Sequence, residues 1–406
     1  MVDAPRLSWT FPLPRIHTGV PLANGTLGLL AWGDQALHLT IARAGFWDHR
    51  GGTPFSARIT FAQLRRLLEA GDEAGVRAAF APQGGSTSGP RLLQQHGGGR
   101  LVMTFPGWIP ATATVDTGTG TLHLTWEKTG SPAAELRLRL AVDEEVAWCD
   151  WDAALGEPSI QLIPAGALQI ADRQARGIAA PELWSDGAGG GALQRLPADD
   201  PLALAWRRTG TRLVLATALG PEAASVVRQR LDSDAQAGAA RTAAWWTAYW
   251  ASVPRFRLPD ALLQRAVELG LWKQGGMTPP QGVAATLQGP WMEDDQPPPW
   301  SNDYHFNINV QLVYGPCLAT NRADHLTPLW RLIRSWLPEL QRNATAFFGR
   351  WFAKKRGTAL SVATSGSAFA QLLIVPLGWN PSRVNLFTVG VITAIIMCSL
   401  LIVTGF

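Results

Sequence analysis

Between Leu7 and about Leu219, apolar residues recur in short alternating or continuous runs, the period-two pattern of β-strands. The runs are TLGLLAW at 26–32, ALHLTIA at 36–42, RLVMTF at 100–105, TLHLTW at 121–126, ELRLRLAV at 135–142 and RLVLATAL at 212–219. Gly, Pro, Asp and Ser turns separate them, with no regular helical crossover between. That spacing predicts a large antiparallel β-sandwich and not a doubly wound sheet. Two interruptions stand out. TFAQLRRLLEAGDEAGVRAA at 60–79 has helical spacing, and SDGAGGGALQRLPADD at 185–200 reads as a loop.

From Pro221 to Val253 the chain is Ala-rich and ends in AAWWTAYWASV, which predicts helix leading out of the β region. After Leu258 the period is helical. Leu262, Ala266, Leu269 and Trp272 share one face, with Leu263, Val267 and Leu271 beside it. Gly275–Gly276 followed by Pro279–Pro280 ends that helix. A second apolar stripe comprises Leu326, Leu329, Trp330, Ile333, Trp336, Leu337 and Leu340.

Composition narrows the function classes. The 406 residues are 47% hydrophobic and 16% charged, a globular balance with material for more than one domain. A net charge of +4 without a lysine-rich tract argues against a nucleic-acid partner. Cys149, Cys317 and Cys398 are too scattered for a disulfide framework or a zinc site, so neither metal nor cofactor is expected. The 19 tryptophans are the compositional surprise: many are expected in ordinary core, but flat indole faces also stack on sugar rings. No apolar h-region opens the chain. Near the other end, the uncharged runs at 358–377 and 386–406 have the length of membrane spans.

Candidate chemistry concentrates in residues 285–316, ATLQGPWMEDDQPPPWSNDYHFNINVQLVYGP. Its prolines and glycines forbid continuous helix, while Asn307 and Asn309 place amides among apolar neighbours. Each polar or aromatic residue here has two readings. The asparagines either hold a water in a site or bond backbone at a helix start. Trp291 and Trp300 either wall a sugar subsite or pack in a core. Gln288, Asp303 and His305 either reach sugar hydroxyls or remain solvated loop residues. Glu293, Asp294 and Asp295 read as a solvated acidic face. Asp48 and His49 are further candidates from the β region.

LQGPW at 287–291, PPPW at 297–300 and YHFNINVQLVYGP at 304–316 resemble the signature of glycoside hydrolase family 95, the α-L-fucosidase family of six-hairpin glycosidases. GVPLANGTLGLLAWG at 19–33 is similar to that family's N-terminal PLGNG-x-LGA segment, and AGFWDHRGG at 44–52 to the segment that follows. The resemblance implies a β-sandwich, a helical linker and an (α/α)6 barrel that hydrolyses a glycoside with inversion. It also implies that Asn307 and Asn309 are the Asn pair positioning the attacking water. A carboxamide orients water but needs a carboxylate to take the proton. Val310–Gln311 stand where fucosidases have Thr-Glu, which leaves the sugar open.

A closed barrel of this kind takes twelve helices, on the order of 200 residues. Residues 258–343 supply fewer than half. The family's general acid and catalytic aspartate lie on later parts of its barrel, and the last acidic residue of this chain is Glu339. ATAFFGRWFAKKRGTALSVATSGSAFAQLLIVPLGW at 344–379 resembles the segment between the fourth and fifth helices of major facilitator transporters. The expected organisation is therefore multidomain β + α. An antiparallel β-sandwich spans 1–220, a helical linker 221–257 and the start of an incomplete (α/α)6 toroid 258–343. A transporter-like tail with two transmembrane helices spans 344–406. The join falls near Asn343–Phe347, and the basic cluster Arg350, Lys354, Lys355 and Arg356 keeps the N-terminal part cytoplasmic. The expected partners are a glycoside or oligosaccharide and a lipid bilayer. The expected activity is that of a truncated glycosidase that no longer turns over, the alternatives being a membrane-anchored carbohydrate binder without catalysis and a transporter fragment.

Overall fold

The computed structural model describes residues 4–50, 61–80, 93–255, 257–306 and 308–338. They divide into one compact unit of residues 1–52 with 88–332 and a second of 53–87 with 333–406. Within the second unit, the helical spacing at 60–79 resolves into α1 (Phe61–Glu69) and α2 (Glu73–Phe80). Each carries an exposed i,i+4 ion pair, Arg65 with Glu69 and Arg77 with Glu73.

The first unit is built on antiparallel sheets. Its strands are β1 (Arg6–Thr10), β2 (Val20–Ala23), β3 (Leu27–Trp32), β4 (Leu37–Arg43), β5 (Trp47–Asp48), β6 (Gln94–Gln95), β7 (Gly99–Thr104) and β8 (Ile109–Asp116). They continue with β9 (Thr121–Glu127), β10 (Ala134–Leu140), β11 (Val146–Trp151), β12 (Ser159–Pro164), β13 (Glu182–Ser185), β14 (Gly189–Gln194), β15 (Leu202–Thr209) and β16 (Arg212–Leu219). One sheet has nine strands in the order β1-β8-β9-β10-β11-β16-β15-β14-β13. The other has five, β12-β7-β4-β3-β2, and β5 pairs with β6. Leu39, Ile41, Leu101 and Met103 of the five-stranded sheet share one buried core with Val115, Leu122, Leu124, Leu136 and Leu138 of the nine-stranded sheet. The alternation of β10 is that of a strand with one buried face. All six residues of β3 are buried, which matches its unbroken apolar sequence.

The reading of 185–200 as a loop is corrected. Residues Gly189–Gln194 form β14, paired on both sides by β13 and β15. A Cβ on Gly191 would stand 2.1 Å from the ring of Trp184, so the glycine is there to let that indole lie across the sheet.

Four helices belong with the sheets or lead out of them. Short α3 (Ala165–Leu168) and α4 (Ile170–Ala175) follow β12. Next, α5 (Ala223–Arg230) packs Ala223 and Val227 on the small residues Ala203, Ala205, Ala216 and Ala218 of the nine-stranded sheet. Asp234 then caps α6 (Ala235–Ser252), its carboxylate accepting from the amides of Gln236 and Ala237. Trp246, Tyr249 and Trp250 of α6 join the sandwich core. Beyond Leu258 come α7 (Ala261–Met277), α8 (Asn309–Ala319) and a helical run at 327–338. On α7 the expected stripe is buried only at its C-terminal end, at Leu271 and Trp272, while Leu262 and Leu263 are exposed.

The expected membrane architecture is corrected. Among the described residues no helix is long and apolar enough to cross a membrane. The 18-residue α6 carries Arg241 and packs its aromatic face on the sheets. The runs at 358–377 and 386–406 lie outside the described residues. The described residues form antiparallel sheets followed by helices, and among them no helix supports the expected bilayer contact.

One buried ion pair ties both sheets and α5 together. Glu145, at the start of β11, accepts from Arg43 at the end of β4 at 3.2 and 3.1 Å and from the Thr217 hydroxyl of β16 at 2.9 Å. Arg230 of α5 lies 3.4 Å away. Burial alone would raise this carboxyl, but the Arg43 hydrogen bonds and charge outweigh it and hold Glu145 below its ordinary value of 4.5. A depressed carboxylate stabilises the fold fully above the unfolded value and loses that contribution as pH falls through the folded one. Glu145→Gln should therefore cost roughly 3 kcal/mol at pH 7, with a smaller deficit as pH falls below the carboxyl's ordinary value of 4.5. Urea denaturation of both proteins across that range measures the convergence.

Candidate functional site

Residues 278–308 are fastened to the sandwich before they offer anything to solvent. The Asn24 amide donates to the carbonyls of Ala141 and Glu144 at 2.7 and 2.8 Å, and its oxygen accepts from the amides of Thr26 and Leu27. Gly25, at φ +78°, then bonds backbone to backbone with Gly276 and Val283. A side chain at Gly25 would meet Pro279 at 2.7 Å. The indole of Trp272 donates to the Pro21 carbonyl at 2.7 Å, and that of Trp291 to the Leu22 carbonyl at 2.9 Å. Trp291 is 7% exposed and part of the core.

The acidic triplet is not a uniform solvated face. Asp294 is 0% exposed. It takes a bidentate contact from Arg100 of β7, at 3.0 and 2.5 Å, and a third bond from the Thr40 hydroxyl of β4 at 3.2 Å. Thr40 in turn accepts from the Trp32 indole, and Gln169 donates to the carbonyls of Asp294 and Gln296. Burial lowers the Arg100 guanidinium, yet the Asp294 bonds outweigh it and leave the group above its ordinary range. Glu293 faces His17 at 2.9 Å, and Asp295 is half-exposed, 3.7 Å from Arg100.

Past the prolines, Trp300, Ser301 and Asn302 are all left-handed, at φ 46°, 58° and 53°. The Asn302 side chain holds this turn from inside. Its oxygen accepts from the Gln288 amide at 2.8 Å, and its nitrogen donates to Gln95 of β6 at 3.0 Å. Trp300 is left 72% exposed, edge-on to the His305 ring at 6.5 Å. His305 Nδ1 stands 2.5 Å from Asp303 Oδ1. Tyr304, whose hydroxyl donates to the Ala284 carbonyl and whose ring stacks on Trp47, anchors the segment between them.

Trp300, Asp303 and His305 are thus brought together at the loop tip. Asn309 is the first residue of α8 and half-buried; the preceding Ile308 makes no side-chain cap. Asn307 lies outside the described residues. Gln288 is half-buried, and its side-chain oxygen has no partner among the described residues. Trp291 lies in the core under β2. Asp48 is buried and gripped by Arg50 at 2.9 and 2.7 Å, so that despite burial its carboxyl is held below the ordinary 3.8. His49 is exposed and faces Asp199 at 2.7 Å. Sequence reasoning read Asp294 as part of a solvated face and passed over Asn302 and Asn24. Only Asn24 carried a local signal, the Asn-Gly pair of a turn.

Asp294→Asn should cost about 3 kcal/mol, because it leaves the Arg100 charge buried without its counter-charge. Asp295→Asn should cost about 0–1 kcal/mol, as for an exposed pair. Urea denaturation of the two variants separates them.

Residues 276–378 match the glycosyl hydrolase family 95 catalytic domain. Over 71 residues the chain is 34% identical to a protein of Aspergillus niger named "Probable alpha-fucosidase A", which is 17% of this chain and 9% of that protein. The matched segment therefore spans under a tenth of the fungal relative. A solved structure named for a kojibiose phosphorylase from the human microbiome overlaps 71% of this chain and 44% of its own at 8% identity and a TM-score of 0.43, too slight a likeness to carry an argument. The family match runs through residues 344–378, and the comparisons give the transporter-like reading of that stretch no support. Every candidate residue from Gln288 to Asn309 falls inside the match. Over residues 276–378 the chain is glycosyl hydrolase family 95-like.

Proposed function

We propose that this chain recognises a glycoside at the loop tip formed by Trp300, Asp303 and His305, with Asn309 at the start of α8 and its motif partner Asn307 holding a water beside it. The observation that carries this reading is the exposed Trp300 ring, fixed by a left-handed turn beside an Asp–His pair inside a family 95-like segment. An indole face covers the apolar face of a sugar, and the neighbouring imidazole, carboxylate and carboxamides match its hydroxyls. Gln288 adds a further amide at the rim. The similarity to a fungal alpha-fucosidase supports an α-L-fucoside, and the Val310–Gln311 departure makes the related α-L-galactoside the second probe.

Inverting hydrolysis needs a general acid and a base that together flank the glycosidic bond. Among its described residues the loop tip brings one carboxylate, Asp303, where two are needed, so we assign the tip binding without turnover. Calorimetry with fucosylated and L-galactosylated oligosaccharides should give saturable heat with at least one of them. Trp300→Ala should weaken binding by about 3- to 10-fold, as loss of one stacking contact does. Aryl α-L-fucoside and α-L-galactoside should release no aglycone. Absence of heat with every glycoside removes the recognition reading, and steady aglycone release removes the assignment of binding without turnover.

A further inference from the structure

Behind the β6–β7 turn lies a buried polar cluster that the loop tip does not use. His96, Arg173, Arg176, Gln94 and Asp48 are all buried. Their pairings leave one guanidinium without a carboxylate. Arg50 takes Asp48 in a bidentate bond. Arg176 takes Asp172 at 2.8 Å and also donates to the Gln94 side-chain oxygen at 2.8 Å. The nearby Asp199 is engaged by His49. Arg173 is left without a carboxylate of its own. Its one contact is a long 3.5 Å bond to the Gly97 carbonyl, and its Nε and Nη1 have no partner among the described residues.

Those atoms have company. Gln94 Nε2 and both ring nitrogens of His96 are buried and unpartnered as well. His96 lies close enough to Arg173 and Arg176 to be acted on by both charges. Burial first, then those two guanidiniums, push it down to about 3, so it is a neutral ring offering one N–H. Burial likewise lowers Arg173, to about 10. The cluster is therefore rich in donors and cationic, with a guanidinium shut off from water. A buried charge without a counter-charge costs several kcal/mol, and native proteins pair such groups or coordinate an ion with them.

We infer that Arg173, Gln94 and His96 form an internal site for a small monovalent inorganic anion of halide size. The class follows from the donor set, from a guanidinium without a carboxylate partner, and from the burial of every orphaned atom, which suits a small ion better than a ligand with a bulky organic body. Strand β6, which carries Gln94, also supplies Gln95 to Asn302 of the loop-tip turn.

The full chain is held at constant ionic strength while gluconate is replaced by chloride or bromide, and its thermal midpoint is followed. A saturable rise of about 2–4 °C is expected with both halides. It should vanish in Arg173→Met and in Gln94→Leu, which keep the packing volume. Crystals grown in bromide should show anomalous scattering within hydrogen-bond reach of Arg173. A midpoint indifferent to halide, a saturable rise that survives in both variants, or water alone beside Arg173 in the bromide crystals overturns the assignment. Should either variant fail to fold, the bromide crystal of the natural chain decides.

Discussion

The edge of the five-stranded sheet is the constraint on which the rest depends. β2 ends that sheet, so the backbone groups on its outer side have no neighbouring strand. Pro21 removes one of the donors, as prolines on edge strands do, and the carbonyls of Pro21 and Leu22 are closed off by two indole N–H groups. One indole comes from α7 and the other from the family 95-like segment. The Asn24–Gly25 turn at the end of the same strand then receives the backbone of Gly276 and Val283. A sheet edge that would otherwise invite another strand is thus converted into the seat of the helical region. The position of everything from Trp272 to Trp291 follows from it.

That seat explains why two acids in adjacent positions have unrelated roles. Once residues 290–295 run over the five-stranded sheet, Asp294 meets the outward-facing Thr40 and Arg100, and its charge is matched where water cannot reach. Asp295, one residue on, points to solvent and sees Arg100 only at the edge of contact range. The buried pair is worth little against an apolar substitute but costs much to break, so its value lies in register. It accepts one alignment of the segment on β4 and β7. The loop tip is then set by Asn302 against β6.

The strand pattern was legible because each run kept its period where one face was buried. ALHLTIA and RLVLATAL became β4 and β16 within a residue of their expected ends. β14 was not legible. Its glycines serve ring packing by Trp184 and Trp206 and carry the composition of a loop. The site was legible as a motif but not as chemistry. Trp291 and Trp300 occupy equivalent-looking Pro/Gly-rich contexts, yet one is a core donor and the other is solvent-exposed. That difference is set by the β2 edge, nearly three hundred residues away in sequence. The membrane reading finds no helix among the described residues to carry it.

The turn at 300–302 does not follow from stability. Left-handed backbone costs roughly 1 kcal/mol or more at each non-glycine residue, and three stand in succession. Asn302 recovers part of this through two buried hydrogen bonds, each worth about 1 kcal/mol net. Trp300 recovers none, since an indole 72% exposed contributes little apolar burial. A turn that served only to connect the prolines to α8 would relax to ordinary dihedrals. Strain that is held in place by a buried amide, and that ends in an uncovered aromatic ring beside an acid and an imidazole, is the pattern that functional sites store. It is the physical support for the proposed sugar contact at Trp300, since the groups around that ring are polar, planar and matched to hydroxyls.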